Sequence, residues 1–158
     1  MLFRSGKVVQ VEARLSTTAA KADRWMPVNP GSEAALAMGL AHVILREKLY
    51  QRDFIKHHTE GFDEWQKGVL AGYAPDAVAA VSGVPAAEIE ALAREFARAR
   101  KPLAICGRGQ GNTPGSLAES MAVHALNALV GNLQRPGGVW AMPEIEYIDW
   151  AEAEMDAL

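Results

Sequence analysis

Residues 7–47, KVVQVEARLSTTAAKADRWMPVNPGSEAALAMGLAHVILRE, decide how the chain is to be read. The run from Lys7 to Glu12 is short, apolar and β-branched and ends in a polar loop, which suits a buried strand better than a helix. A short helix is expected around Thr17 to Asp23, then a brief extended piece, WMPV, and the turn Asn29-Pro30-Gly31-Ser32. That turn launches a helix from Glu33 to Glu47, in which Leu36, Leu40, Val43 and Ile44 recur at the spacing of one buried face. Ser32 is a natural N-cap there, and Glu33 complements the helix dipole.

Further along, residues 50–73 read as two short helices separated at Glu60-Gly61, with Phe54, Ile55, Phe62, Trp65 and Val69 as packing residues. Another short helix is expected over Ala74 to Val81, with Pro75 and Asp76 suited to its first turn. Pro85 opens a strongly amphipathic helix whose stripe is Ile89, Leu92, Ala93 and Phe96. Pro102 stops it, and Leu103 to Cys106 is a wholly apolar run of the kind found in parallel strands covered on both faces. After the loop GRGQGNTPGS, a helix from about Leu117 to Val130 is apolar on nearly all sides and is expected to be buried between other elements. Residues 134–143 read as irregular, and residues 144–158 as a short helix or a tail belonging against something else. Strands alternating with helical runs indicate a helix-rich α/β unit, and two strands alone make no satisfactory parallel sheet. The chain is therefore expected to contribute to a larger parallel sheet.

At 158 residues one domain with a real core is the default. The formal charge of −3, spread between acids and bases, disfavours a nucleic-acid partner. No apolar stretch approaches the roughly 20 residues of a membrane span. The first residues lack an apolar run of signal-peptide length, so no export signal is expected within them. A single cysteine, Cys106, excludes an internal disulfide and a four-cysteine iron-sulfur cluster held by this chain.

Three places carry candidate chemistry. The loop Gly107-Arg108-Gly109-Gln110-Gly111 follows an expected strand and precedes a helix, where close backbone approach and free N–H groups favour a pyrophosphate. Its spacing is GxGxG rather than GxGxxG, so a plain strand-to-helix turn explains it as well. Glu12 stands at the carboxyl end of the first strand, where an open α/β sheet places an acid against a ribose diol or a base edge; a solvated loop carboxylate is the alternative. Pro30-Gly31-Ser32-Glu33 reads either as a β-turn with a helix cap or as a carboxylate aimed at a purine edge. Elsewhere, His57 and His58 read as surface, His42 lacks a partner at metal spacing, His124 reads as a core histidine, and Cys106 as an inert buried thiol. No metal ligands and no catalytic acid, base or nucleophile are nominated.

Taken together, residues 8–50, FIKHHTEGFDEW (54–65), residues 73–97, the GRGQG loop and LNALVGNLQRPGGV (126–139) resemble, in order and spacing, the molybdopterin oxidoreductase superfamily. These are the dimethyl-sulfoxide-reductase-like large subunits. In that family a strand ends in an Asp-Pro-Arg-like triplet, followed by a Thr-Ala segment, an Ala-Asp-x-Trp, a Pro-Gly-Thr-Asp and a long helix. The resemblance implies a Rossmann-like three-layer domain holding one guanine-nucleotide arm of a bis-molybdopterin guanine dinucleotide cofactor that carries molybdenum or tungsten. By position, Glu12 and Arg14 would meet the base or ribose; Pro30, Gly31 and Glu33 would frame the guanine; and Gly107, Arg108, Gly109 and Gln110 would lie near the phosphates or pterin.

The sequence also departs from the pattern. The two family aspartates are Glu12 and Glu33, and the proline is Ala13. The family's iron-sulfur region, its molybdenum-ligand segment and its second pterin-binding domain lie outside these residues, so the chain is expected to be an internal piece without complete catalysis. The Glu-Ala-Arg-Leu-Ser-Thr-Thr-Ala variant and the 147–156 segment look most like large subunits of membrane-associated respiratory complexes, such as menaquinone-reductase and polysulfide-reductase-like enzymes. The resemblance implies, as partners, the remaining domains of the subunit, an iron-sulfur electron-transfer subunit and a membrane anchor, and a periplasmic location. The rival readings are a cofactor-free scaffold subunit, motivated by Glu12, Ala13 and Glu33, and a free-standing NAD-binding protein resting on the GxGxG loop.

Overall fold

The computed structural model describes residues 6–106 and 116–142. Its elements run β1 (Val9–Val11), α1 (Thr17–Lys21), β2 (Arg24–Met26), α2 (Glu33–Arg46), α3 (Arg52–His58), α4 (Phe62–Gly72), α5 (Pro75–Ser82), α6 (Ala86–Arg98) and α7 (Ser116–Leu129). The α/β reading holds: β1 and β2 pair in parallel, Val9 opposite Arg24 and Val11 opposite Met26, and residues 12–23 form the helical crossover that parallel pairing demands. Ser16 caps α1, its hydroxyl accepting from Ala19 N at 3.1 Å. The small sheet is extended by Glu12 N donating to Met26 O (3.3 Å) and Arg24 N donating to Val8 O (3.2 Å).

Two strand expectations are corrected. The partner of β1 is the piece around Trp25, read only as a brief extended stretch, because its two neighbours in sequence bring it alongside. Residues 103–106, expected as a covered strand, are in no sheet among the described residues, and Leu103 and Ile105 are exposed. The two polar backbone groups of Ala104 are met instead by the buried side chain of Asn127.

The core centres on α2. Leu36, Ala37, Leu40, Ala41, Val43, Ile44 and Leu45 are all buried, so the expected single buried face is in fact a helix enclosed by α4, α5, α6 and α7. Gly39 belongs to this enclosure: a Cβ there would lie 3.0 Å from Val78 Cγ1, so glycine lets α5 approach. The converse correction applies to α7. Ala122, Leu126, Asn127 and Leu129 are buried, but Leu117 and Met121 are 72% and 64% exposed, and His124 is exposed rather than in the core. Cys106 is half-buried rather than enclosed, its thiol 3.8 Å from the Ser120 carbonyl.

Helices α2 and α7 lie side by side and run the same way. The chain just past α2 meets the C-terminal end of α7 where Gln51, which precedes α3, donates its N–H to Leu129 O at 2.8 Å, and the first turns of α2 and α7 meet where Glu33 lies within electrostatic range of Glu119. Parallel neighbours on one face are what successive strand–helix units of one hand produce. Both helix starts therefore point to the end where β1 and β2 finish.

Candidate functional site

Strand ends and helix starts converge on one edge. β1 ends at Val11 and hands over to Glu12; β2 ends at Met26 and leads through Val28 and Asn29 into α2. In open α/β sheets ligands bind outside the carboxyl ends of strands, where helix N–H groups gather.

Glu12 is half-buried, and its carboxylate accepts from both the backbone N–H (3.2 Å) and the hydroxyl of Ser16. Its carbonyl accepts from Trp25 Nε1 at 3.1 Å, which ties the end of β1 to β2. Part of this carboxylate is thus engaged in starting α1. Arg14, two residues on, is exposed and makes no ion pair among the described residues.

The turn before α2 is held from behind. Asn29 N donates to Ser82 O (2.8 Å), Asn29 Nδ2 donates to Val81 O (2.9 Å), and Ser32 N donates to Asn29 O (3.1 Å). Pro30 and Gly31 are left exposed at its tip, with Gly31 at φ +81°, a conformation that favours glycine. Ser32 is buried but does not cap the helix as expected. Its hydroxyl donates back to Asn29 O at 2.6 Å, so among the described residues no side chain meets the first N–H groups of α2. The half-buried Glu33 stands beside those open donors.

A second carboxylate shares this end. Burial, and then the neighbouring Glu33 charge, raise the Glu119 carboxyl above its ordinary value. Both carboxyl groups can accept from a ligand N–H. Gly107, Arg108, Gly109 and Gln110 lie outside the described residues.

The residues that position the site, Asn29, Ser82, Gly83 and Glu119, were not singled out by sequence. Gly83 had a readable signal, a glycine ending an apolar helix, and it closes α5 at φ +75° with its missing Cβ site 3.2 Å from Asn29 Oδ1. Glu119 had none, because its meaning depends on two helices lying in parallel. Two concavities occur elsewhere: one of about 670 Å³ between α3 and α4, lined by Tyr50, Ile55 and Phe62, and one of about 470 Å³ at the ends of α6 and α7, lined by Arg100, Lys101 and Arg135. Neither includes Glu12 or Glu33, and no group of three metal-binding side chains gathers among the described residues.

A family model described as molybdopterin oxidoreductase matches residues 2–153. The chain belongs to the molybdopterin oxidoreductase family. Within this family it is 38% identical over 129 residues to the menaquinone reductase molybdopterin-binding-like subunit of Nitratidesulfovibrio vulgaris, a match covering 82% of this chain and 18% of that one. It is 34% identical to formate dehydrogenase H of Escherichia coli, again covering 82% and 18%. Among solved structures, acetylene hydratase from Pelobacter acetylenicus matches with TM-score 0.72 and 32% identity, over 79% of this chain and 17% of that one. The chain thus spans about a fifth of the length of these molybdopterin oxidoreductase relatives. No helix among the described residues is long and apolar enough to cross a membrane.

Proposed function

We propose that residues 1–158 form one Rossmann-like cofactor-binding domain of a larger respiratory oxidoreductase subunit, and that its carboxyl edge holds the guanine-nucleotide arm of a bis-molybdopterin guanine dinucleotide. The observation that carries this reading is the start of α2, an uncapped helix turn beside a half-buried carboxylate. Guanine presents an acceptor, O6, next to two donors, N1–H and the exocyclic amine. The open N–H groups of α2 match the acceptor, and Glu33 matches the donors. Donor and acceptor chemistry at this edge therefore fits the group. Gly31 and Pro30 allow a flat base to approach the turn, and Asn29, anchored to α5, keeps the turn in place.

When bound, the pterin and its molybdenum or tungsten supply the electron and atom transfer. This chain's residues bind and orient; none acts as acid or base. The iron-sulfur cluster belongs to other parts of the assembly, with an electron-transfer subunit and a membrane anchor on the periplasmic side as its partners.

A second reading, a cofactor-free scaffold, is favoured by two observations: Glu12 engages one carboxylate oxygen, Oε1, with Ser16, and exposed Ala13 replaces the proline of the family triplet. Thermal unfolding with GDP or GMP separates the two. Binding confined to the folded state stabilises by about 2.7 kcal/mol at a hundredfold excess over the dissociation constant. The expected outcome is an upward shift abolished in Glu33→Ala. No shift, together with an intact complex devoid of molybdenum and pterin, would leave the scaffold.

A further inference from the structure

The charges of this chain are segregated along its length. All 16 Lys and Arg residues precede Glu144, together with 13 of the 19 acids, so residues 1–143 carry a net positive charge. Residues 144–158, EIEYIDWAEAEMDAL, hold the other six acids and no Lys or Arg. A run of one sign is either left to water or serves as an interaction arm.

The described surface offers a counterpart. A groove of about 470 Å³ lies where α6 and α7 end, bordered by Pro102, Gly131 and Asn132, with Arg100, Lys101 and Arg135 around it and no carboxylate in its lining. Lys7, Arg24, Arg46 and Arg94 each find a carboxylate, whereas these three cations make no ion pair among the described residues. Two of them are held in place. Arg135 opens a turn in which its carbonyl accepts from Gly138 N (2.9 Å), with Pro136 second and Gly137, at φ +86°, third. A Cβ on Gly137 would lie 3.0 Å from Lys101 Cδ, so glycine there gives the Lys101 stem its path. The Arg135 guanidinium stands 5.9 Å from the centre of the Phe54 ring. Helix dipoles explain only part of this charge: Arg98 already occupies the last turn of α6, so Arg100 and Lys101 exceed what its carbonyls require.

We propose that the groove at the ends of α6 and α7 is the docking site of the acidic segment 144–158 of the same chain. Val139 N donates to Asn132 O at 3.0 Å, so the chain leaves the turn at the rim of the groove, and Glu144 follows five residues later. Five residues span at most about 18 Å, which tethers the first acid close to the groove. So short a tether gives the segment a local concentration that a second copy in dilute solution does not match. The groove lies at the opposite end of α7 from Glu119 and Glu33, so the proposal stands apart from nucleotide binding.

Zero-length carbodiimide coupling tests it on the 158-residue chain, because the reagent joins an amine to a carboxylate only where the two are in contact. At low salt, Lys7 should couple to Glu95, 2.5 Å away, in every sample and serves as the internal standard. Lys101 should be found joined to an acid of residues 144–158 within one chain. Its yield should fall at least about tenfold in about 1 M salt, where the Debye length is about 3 Å. Arg100→Glu together with Arg135→Glu keeps Lys101 as reporter and reverses the field around it. That variant should keep the parent's melting temperature in high salt and lose at least about tenfold of the low-salt coupling. Lys101 joined to no acid of residues 144–158, or a yield unmoved by salt and by the reversal, would overturn the proposal. So would products formed only between chains and growing with concentration, since the occupant would then be a second copy.

Discussion

Helices α2 and α7 have the same length, 14 residues, and nearly the same look: alanine-rich, with leucine, valine, methionine and one histidine each. They lie side by side in the same direction. Yet α2 is enclosed by four other helices, and its histidine, His42, is buried with Nδ1 3.3 Å from the Val69 carbonyl. The outer stripe of α7 carries exposed Leu117, Met121 and His124. The difference teaches that a helix apolar all round declares only that it will be covered. Its neighbours in sequence settle whether the cover lies within reach. For α2, helices α4, α5 and α6 follow in the chain and fold back upon it.

The largest expected effect comes from cutting into the enclosed helix. Ile44 is fully buried, and Ile44→Ala should cost about 3–4 kcal/mol in denaturant unfolding, whereas Leu117→Ala should stay within about 0.5 kcal/mol in the chain by itself. Comparable losses for both would mean that α7 is covered after all. Next comes Asn127→Ala, which strips both partners from Ala104 and should cost about 2 kcal/mol by the same measurement. Gly83→Ala forces a left-handed φ on a residue with a Cβ and crowds Asn29, so about 1–2 kcal/mol should be lost together with part of any nucleotide response.

The sequence carried the α2 side of this comparison better than the α7 side. Caps, turns and apolar spacing are local, so α3 to α6 appear where Gly61, Pro75 and Pro85 place them. Whether Leu103–Cys106 is paired, or which side of α7 faces outward, depends on groups distant in sequence. The same holds for the site. Glu33 was legible as a carboxylate at a helix start, but the turning away of Ser32 toward Asn29 was not, because both a cap and a turn bond satisfy one hydroxyl.

The smallest expected effect lies at the far end of α2, where Glu47 accepts from Arg94 (2.7 and 3.1 Å to Oε1, 3.0 Å to Oε2) and Glu90 bridges Arg46 and Arg94. Hydrogen bonds from Arg94, then Arg46, hold the Glu47 carboxyl down to about 2, against the opposing effect of burial. A depressed carboxylate stabilises the fold above its unfolded pKa, near 4.5, and that contribution drains away as pH falls from there toward about 2. Glu47→Gln should therefore lower the melting temperature slightly at pH 6 and flatten its decline between pH 4.5 and 2 in a thermal titration. The pair is partly solvated, so the change should be the least of the four.

The unclosed first turn of α2 sets a trap for anyone improving this protein. Ser32→Asp would offer those bare amides an internal acceptor, losing the hydroxyl's bond to Asn29 O, and is the kind of change a search for better-capped helices proposes. Its carboxylate would take the amides that the base is proposed to use, so any stability gained there should come with a loss of nucleotide response.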